Sequence, residues 1–183
     1  MRKLAALLGK AGAVIVARYH DGDYLVSEEH LICRVPAGAL PAVLARRPEL
    51  LATVLSGPAD AYRYESSGVK TWEPARVVEI YERTQPSHVG RVTKVAVLEQ
   101  SRSGLAVYQA ILRSDSREVV WINAEFLAAA EISAGAEVQM GSRRDLVRAG
   151  TYVFAPFHPA DADTRAAAEG LMAAGLSESS DPT

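Results

Sequence analysis

An echo between the two ends of this chain constrains its fold more than any other feature. Residues 4–36 read Leu4-Ala5-Ala6-Leu7-Leu8, then Ala11-Gly12-Ala13-Val14, a hairpin-like stretch, and Leu31-Ile32-Cys33-Arg34-Val35-Pro36. Residues 127–156 read Leu127-Ala128-Ala129-Ala130, then Ala134-Gly135-Ala136-Glu137-Val138, a shorter hairpin, and Tyr152-Val153-Phe154-Ala155-Pro156. Seven positions separate Leu4 from Ala11, and seven separate Leu127 from Ala134. Both stretches fit a helix, a strand, a turn and two further strands closing at proline. A unit used twice restricts the architecture to those built by repeating it.

The rest of the chain supplies the remaining elements. Leu4, Leu7 and Leu8 share one face of a short helix over residues 2–9. Residues 13–19 are β-branched, and His20-Asp21-Gly22-Asp23 is a hairpin turn. Strands follow at 24–27 and 30–35. Residues 40–55 form two short helices, the second starting near Pro48, and Gly57-Pro58 ends it. Ala61–Tyr64 is strand-like within a mixed segment, 74–83 has helical spacing with a strand as competitor, and 84–90 is a loop. Alternation marks strands at 92–98, 105–112 and 118–122, joined by turns at 101–104 and 114–117. Asn123 caps a helix over 124–131, with Glu125 in its first turn. Strands at 136–140, 145–148 and 151–155 follow. Asp161 or Asp163 caps an Ala-rich helix to Ala174, and 177–183 is disordered. Runs of about three strands separated by short helices indicate an α+β fold, not the strict alternation of a parallel sheet.

Net charge is −2, but its distribution is uneven. Residues 1–150 hold 19 Lys and Arg against 17 Asp and Glu, whereas 151–183 hold 1 against 5, so a slightly basic body precedes an acidic tail. The single cysteine, Cys33, excludes an internal disulfide and a cysteine metal cluster; its apolar neighbours make it a buried thiol. The N-terminal segment lacks a full apolar stretch and cleavage site, and no apolar run of about 18 residues is present. The expectation is a soluble, reduced, cytoplasmic protein that does not engage a membrane.

At this point the residues resemble a known family. Val120-Trp121-Ile122-Asn123-Ala124-Glu125-Phe126-Leu127, followed by three strands ending in Tyr152-Val153-Phe154-Ala155-Pro156, is similar to the last part of a bacterial DNA sliding-clamp domain. Gly22–His30 is similar to the strand–turn–strand of small phage-borne proteins of clamp type. The resemblance covers residues 1–36 and 92–157. It implies one clamp-like domain over 1–157, built from two repeated helix-plus-antiparallel-strands units, with 37–91 as an inserted middle segment. Residues 158–183 then form the Ala-rich helix and acidic tail. Because a clamp ring needs more domains than one such chain holds, the resemblance also implies a homo-oligomer.

Candidate chemistry is sparse. Cations suited to phosphate contacts are Arg2, Lys3 and Lys10 on the first helix, the pair Arg46-Arg47, and Arg76 with Arg83 in the middle segment; an ordinary solvated surface competes with this. Tyr62, Tyr64 and Trp72, near Arg63 and Lys70, offer either a stacking platform for single-stranded nucleic acid, a protein-docking patch or a half-buried sheet edge. His20, Asp21, Asp23, Glu28, Glu29 and His30 match no metal-ligand spacing. His88 and His158 are surface loop histidines. There is no Gly-x-Ser-x-Gly elbow, no base placed for Cys33, and Gly9-Lys10-Ala11-Gly12 lacks the spacing of a phosphate loop.

The expectation is therefore a non-enzymatic, cofactor-free clamp-like protein of phage type that holds duplex DNA through backbone contacts and tethers a replication partner. The acidic tail and the acidic helix at 124–131 favour an alternative, a protein-interaction module that binds and modulates a host replication or transcription factor.

Overall fold

The computed structural model describes residues 1–83, 86–101, 104–116, 118–141, 146–157 and 162–178. In chain order its elements are α1 (Arg2–Lys10), β1 (Val14–Arg18), β2 (Tyr24–Glu28), β3 (Leu31–Val35), α2 (Leu40–Val43), α3 (Pro48–Ser56), β4 (Ala61–Glu65), β5 (Gly68–Thr71) and α4 (Ala75–Arg83). They continue as β6 (Pro86–Ser101), β7 (Gly104–Arg113), β8 (Val119–Asn123), α5 (Ala124–Ala129), β9 (Glu137–Gly141), β10 (Val147–Ala149), β11 (Tyr152–Phe154) and α6 (Ala162–Glu178). Every described strand pair is antiparallel, and the fold is α+β.

The chain divides into two compact units, Met1–Thr84 with Ala149–Phe154, and Gln85–Arg148 with Ala155–Thr183. In the first, the strand order is β5-β4-β1-β2-β3-β11. Local signals explain the elements. Asp21 (φ 60°) and Gly22 (φ 79°) both adopt the left-handed conformation that the tight turn between β1 and β2 needs. Pro48 opens α3 with Glu49 in its first turn. Paired strand residues share a face, so the register places Val16, Val26, Cys33 and Tyr62 on one side of this sheet and Ala17, Leu25, Arg34 and Arg63 on the other. Arg47 stacks on Tyr64 of the first side, and α1 packs on α2 while α3 packs on β4 and β5. On the second side, α4 is anchored where Tyr81 meets Tyr19 edge-on, 5.6 Å between ring centres. Buried Leu4, Leu8, Val14, Leu25, Leu40, Leu44 and Leu50 form the apolar interior.

The second unit has the strand order β10-β9-β6-β7-β8. The Asn123 side chain accepts a 2.8 Å bond from the Glu125 N–H and so caps α5, which packs on β7 and β8. Ile111, Ile122, Leu127, Val138 and Met140 are buried beside it. Gly90 is closely covered: a Cβ there would stand 2.5 Å from Met140 Sδ.

Several elements differ from the sequence expectation. Residues 86–90 are not a loop but the start of β6, paired with β9; the first position of a strand is one of the few that accept proline. The segment after Tyr64 forms β5, too short and polar to show alternation. The helix after Asn123 stops at Ala129, because Glu131 turns left-handed (φ 61°). The helix expected to end at Ala174 runs to Glu178. Residues 84–85, 102–103, 117, 142–145, 158–161 and 179–183, which include His158, Asp161 and parts of the expected loop, turns and tail, lie outside the described residues.

Both echoing stretches form a helix followed by three strands, α1-β1-β2-β3 and α5-β9-β10-β11. The last strands of the two stretches pair with each other, Tyr152 opposite Cys33 and Phe154 opposite Leu31. Residues 37–83 of the candidate insertion belong to the first unit and supply β4, the neighbour of β1. No helix among the described residues is long and apolar enough to cross a membrane.

Candidate functional site

Five of the seven candidate phosphate-binding cations gather in one corner of the first unit. α1 buries Leu4, Ala5 and Leu8 and presents Arg2, Lys3 and Lys10 to solvent. Lys3 and Lys10 are seven residues apart and share one stripe of the helix. The segment from Leu40 to Arg47, whose α2 packs on α1, adds Arg46 and Arg47. Neither 2–10 nor 40–47 contains an aspartate or glutamate.

The five cations have different duties. Arg47 donates from Nε to the Leu8 carbonyl (3.2 Å) and from Nη2 to the Ala11 carbonyl (2.6 Å), and its guanidinium stands 4.3 Å from the Tyr64 ring centre. It satisfies carbonyls that the end of α1 leaves without helical partners, a structural task. Arg46, its neighbour, is exposed and lies over Gly9; a Cβ on Gly9 would stand 2.6 Å from Arg46 Cδ. Lys10 sits at the end of α1 that favours cations. Arg2 and Lys3 sit at the end that disfavours them, so helix electrostatics do not account for their placement.

Arg76 and Arg83 do not join this corner. They lie on α4, which packs on the opposite side of the sheet, and Arg83 is paired to Glu79 at 2.6 Å. The aromatic candidates are split as well. Tyr62 is buried, and its hydroxyl accepts from the Ala59 N–H at 2.9 Å. Tyr64 shares its face under Arg47. Trp72 follows Thr71, the partner of Tyr62, and therefore falls on the opposite face, 4.4 Å beneath the Arg63 guanidinium. Strand parity thus prevents the three rings from forming one stacking surface.

The acidic and histidine residues are divided among local pairings. His20 Nε2 contacts Glu82 at 3.1 Å, and the same carboxylate accepts from the Tyr19 hydroxyl at 3.3 Å. Burial and Glu82 together push that hydroxyl above its ordinary pKa. Asp23 and Asp21 accept from Arg34 at 2.5 and 3.5 Å. Glu28 accepts from the His30 N–H, at the far end of β2. Among the described residues no group of three or more such side chains could hold a metal ion. Burial pushes the Cys33 thiol up to about 11, which keeps it protonated and unreactive at neutral pH.

In the second unit, His88 is a strand residue, not a loop one, and sits 2.5 Å from Asp115. Arg113, largely buried, holds Asp115 through two bonds (3.0 and 2.9 Å) and Glu118 through a third (3.0 Å). The guanidinium keeps the Asp115 carboxyl at about 2. This clasp ties β6, β7 and the approach to β8.

One surface had no place among the sequence candidates. At the far end of β6 and β7, Leu98 is 67 % exposed, Leu105 65 % and Val107 40 %. The alternation of 92–98 marked the strand, but alternation alone does not say which face stays uncovered. In comparisons with known proteins, the chain matches no family model, no curated protein and no solved structure.

Proposed function

We propose that this chain is a non-enzymatic, sliding-clamp-like protein that holds the backbone of duplex DNA and tethers a replication partner. The observation that carries this reading is the α1–α2 corner: Arg2, Lys3, Lys10 and Arg46 exposed together on elements without a carboxylate. Cations of this kind bind phosphates without reading sequence, and each contact adds about 0.9 to the slope of log affinity against log salt. Labelled duplex DNA titrated at increasing salt is expected to show a negative slope. The triple variant Arg2→Ala, Lys3→Ala, Arg46→Ala is expected to lower that slope by up to about 3. Absence of binding at low salt would overturn the reading.

The exposed leucines at the end of β6 and β7 favour a second reading, the protein-interaction module. Under it, DNA affinity is absent, and a host replication or transcription factor binds through an apolar surface.

A further inference from the structure

We propose that Gly9 is a positioning residue of the α1–α2 corner: the side chain it lacks leaves a bed for the Arg46 stem, and that bed aims Arg46 at a DNA phosphate. This rests on the DNA-binding reading above. Helical spacing shows what the bed completes. Gly9 follows Arg2 by seven residues, so the two share one stripe of α1, beside the stripe of Lys3 and Lys10. Each stripe is about 10 Å long. The lysine stripe has a cation of its own at each end. The other begins at Arg2 and ends at Gly9, and there Arg46 supplies the missing cation from the neighbouring segment. Four cations from two segments then frame one face of α1.

Nothing local asks for glycine at this position. Gly9 lies inside α1, where alanine is the better helix former. Its φ is not in the left-handed region, and the C-cap is Ala11, in extended backbone. What asks for glycine is the close cover. A Cβ on Gly9 would stand 2.6 Å from Arg46 Cδ, 3.0 Å from its Cβ and 3.4 Å from its Cγ. The whole stem, not only its tip, therefore lies on the helix. The Arg46 backbone cannot retreat, because its neighbours are tied down. Arg47 donates to the carbonyls of Leu8 and Ala11, which flank Gly9, and Leu44 is fully buried. A methyl group at residue 9 is accommodated only by turning the Arg46 stem off α1. The charge stays on the protein but leaves its place in the frame. Gly12, by contrast, has open space where its Cβ would be.

Fluorescence anisotropy of labelled duplex DNA over a salt series tests this with Gly9→Ala, Arg46→Ala, the double variant and Gly12→Ala. One phosphate contact carries about 0.9 of salt slope, which is worth about tenfold in affinity at about 50 mM salt. Gly9→Ala is expected to lose up to about tenfold in affinity and about 1 in slope, as Arg46→Ala does. The double variant is expected to lose no more than either, because both changes act on one contact. Gly12→Ala is expected to bind like the wild type. A glycine that only shapes the helix would leave the slope unmoved. Wild-type binding by Gly9→Ala overturns this inference alone, as do additive losses in the double variant or an equal loss in Gly12→Ala. A wild type that binds no DNA overturns it together with the reading it rests on. If circular dichroism finds Gly9→Ala unfolded, NMR of the wild type decides. A nuclear Overhauser contact between the Gly9 α protons and the Arg46 δ protons is expected, and its absence overturns the positioning.

Discussion

The α1–α2 corner and the β6–β7 ribbon both spend surface on side chains that their own folding does not require, but in opposite currencies. The corner exposes cations above a filled apolar base, where Leu4 and Leu8 are fully buried. The ribbon exposes leucines and half-buries a glutamate. Exposed cations are ordinary for a protein surface, so the corner stands out only through the lack of carboxylates among them. Exposed leucines in register are not ordinary, and the ribbon stands out residue by residue. A charged surface must therefore be judged by its composition, and an apolar one by its geometry.

Leucines in the two regions give the largest test of this contrast. Leu8 is 1 % exposed and lies between α1 and the interior; Leu98 is 67 % exposed. Leu8→Ala is expected to destabilise by about 2–5 kcal/mol through lost burial and a residual cavity. Leu98→Ala is expected to stay within about 0.5 kcal/mol. Urea unfolding of both variants checks this; equal losses would mean that Leu98 is covered within the monomer and would remove the contrast.

Within the corner, the adjacent arginines sharpen it. Arg47→Ala removes two bonds to the α1 carbonyls and the stack on Tyr64, and is expected to cost about 1–3 kcal/mol. Arg46→Ala is expected to remain within about 0.5 kcal/mol of wild type while weakening any polyanion binding. If thermal unfolding ranks them the other way round, Arg46 is the structural residue and the corner loses one of its exposed cations.

The same contrast explains what could be read from the sequence. Signals carried by one or two residues were legible: Asp21-Gly22 for a left-handed turn, Pro48 for the start of α3, Asn123 for a cap that the structure shows bonded. The Lys3 and Lys10 stripe was legible because it lies on one helix. That Arg46 and Arg47 join it was not, because their approach depends on α2 packing against α1 and on the space above Gly9. The aromatic residues are close in sequence, but alternation along the paired strands sends Tyr62 and Trp72 to opposite faces. β5 escaped notice because Gly68-Val69-Lys70-Thr71 has no apolar period to follow. The outward leucines escaped because alternation fixes two faces without saying which one α6 covers.

The smallest expected effect contrasts the two ends of the β6–β7 hairpin. Its strands are held by packing against α6 and Phe157, whereas its root is held by charge through His88, Arg113, Asp115 and Glu118. Arg113, then the wider positive surroundings that include His88, depress the Asp115 carboxyl to about 2. A group whose folded pKa lies below its unfolded value, about 3.9 for aspartate, stabilises the fold above that value. The contribution fades as pH falls from about 4 towards 2. Asp115→Asn is therefore expected to unfold at lower urea than wild type at neutral pH, with the gap closing across that acidic window. A solvent-facing pair contributes little, so the gap is expected to be smaller than that of Arg47→Ala. A gap that persists unchanged at pH 2 would mean that Asp115 acts through its turn geometry and its bond to the Ser116 N–H, and not through the charge at the hairpin root.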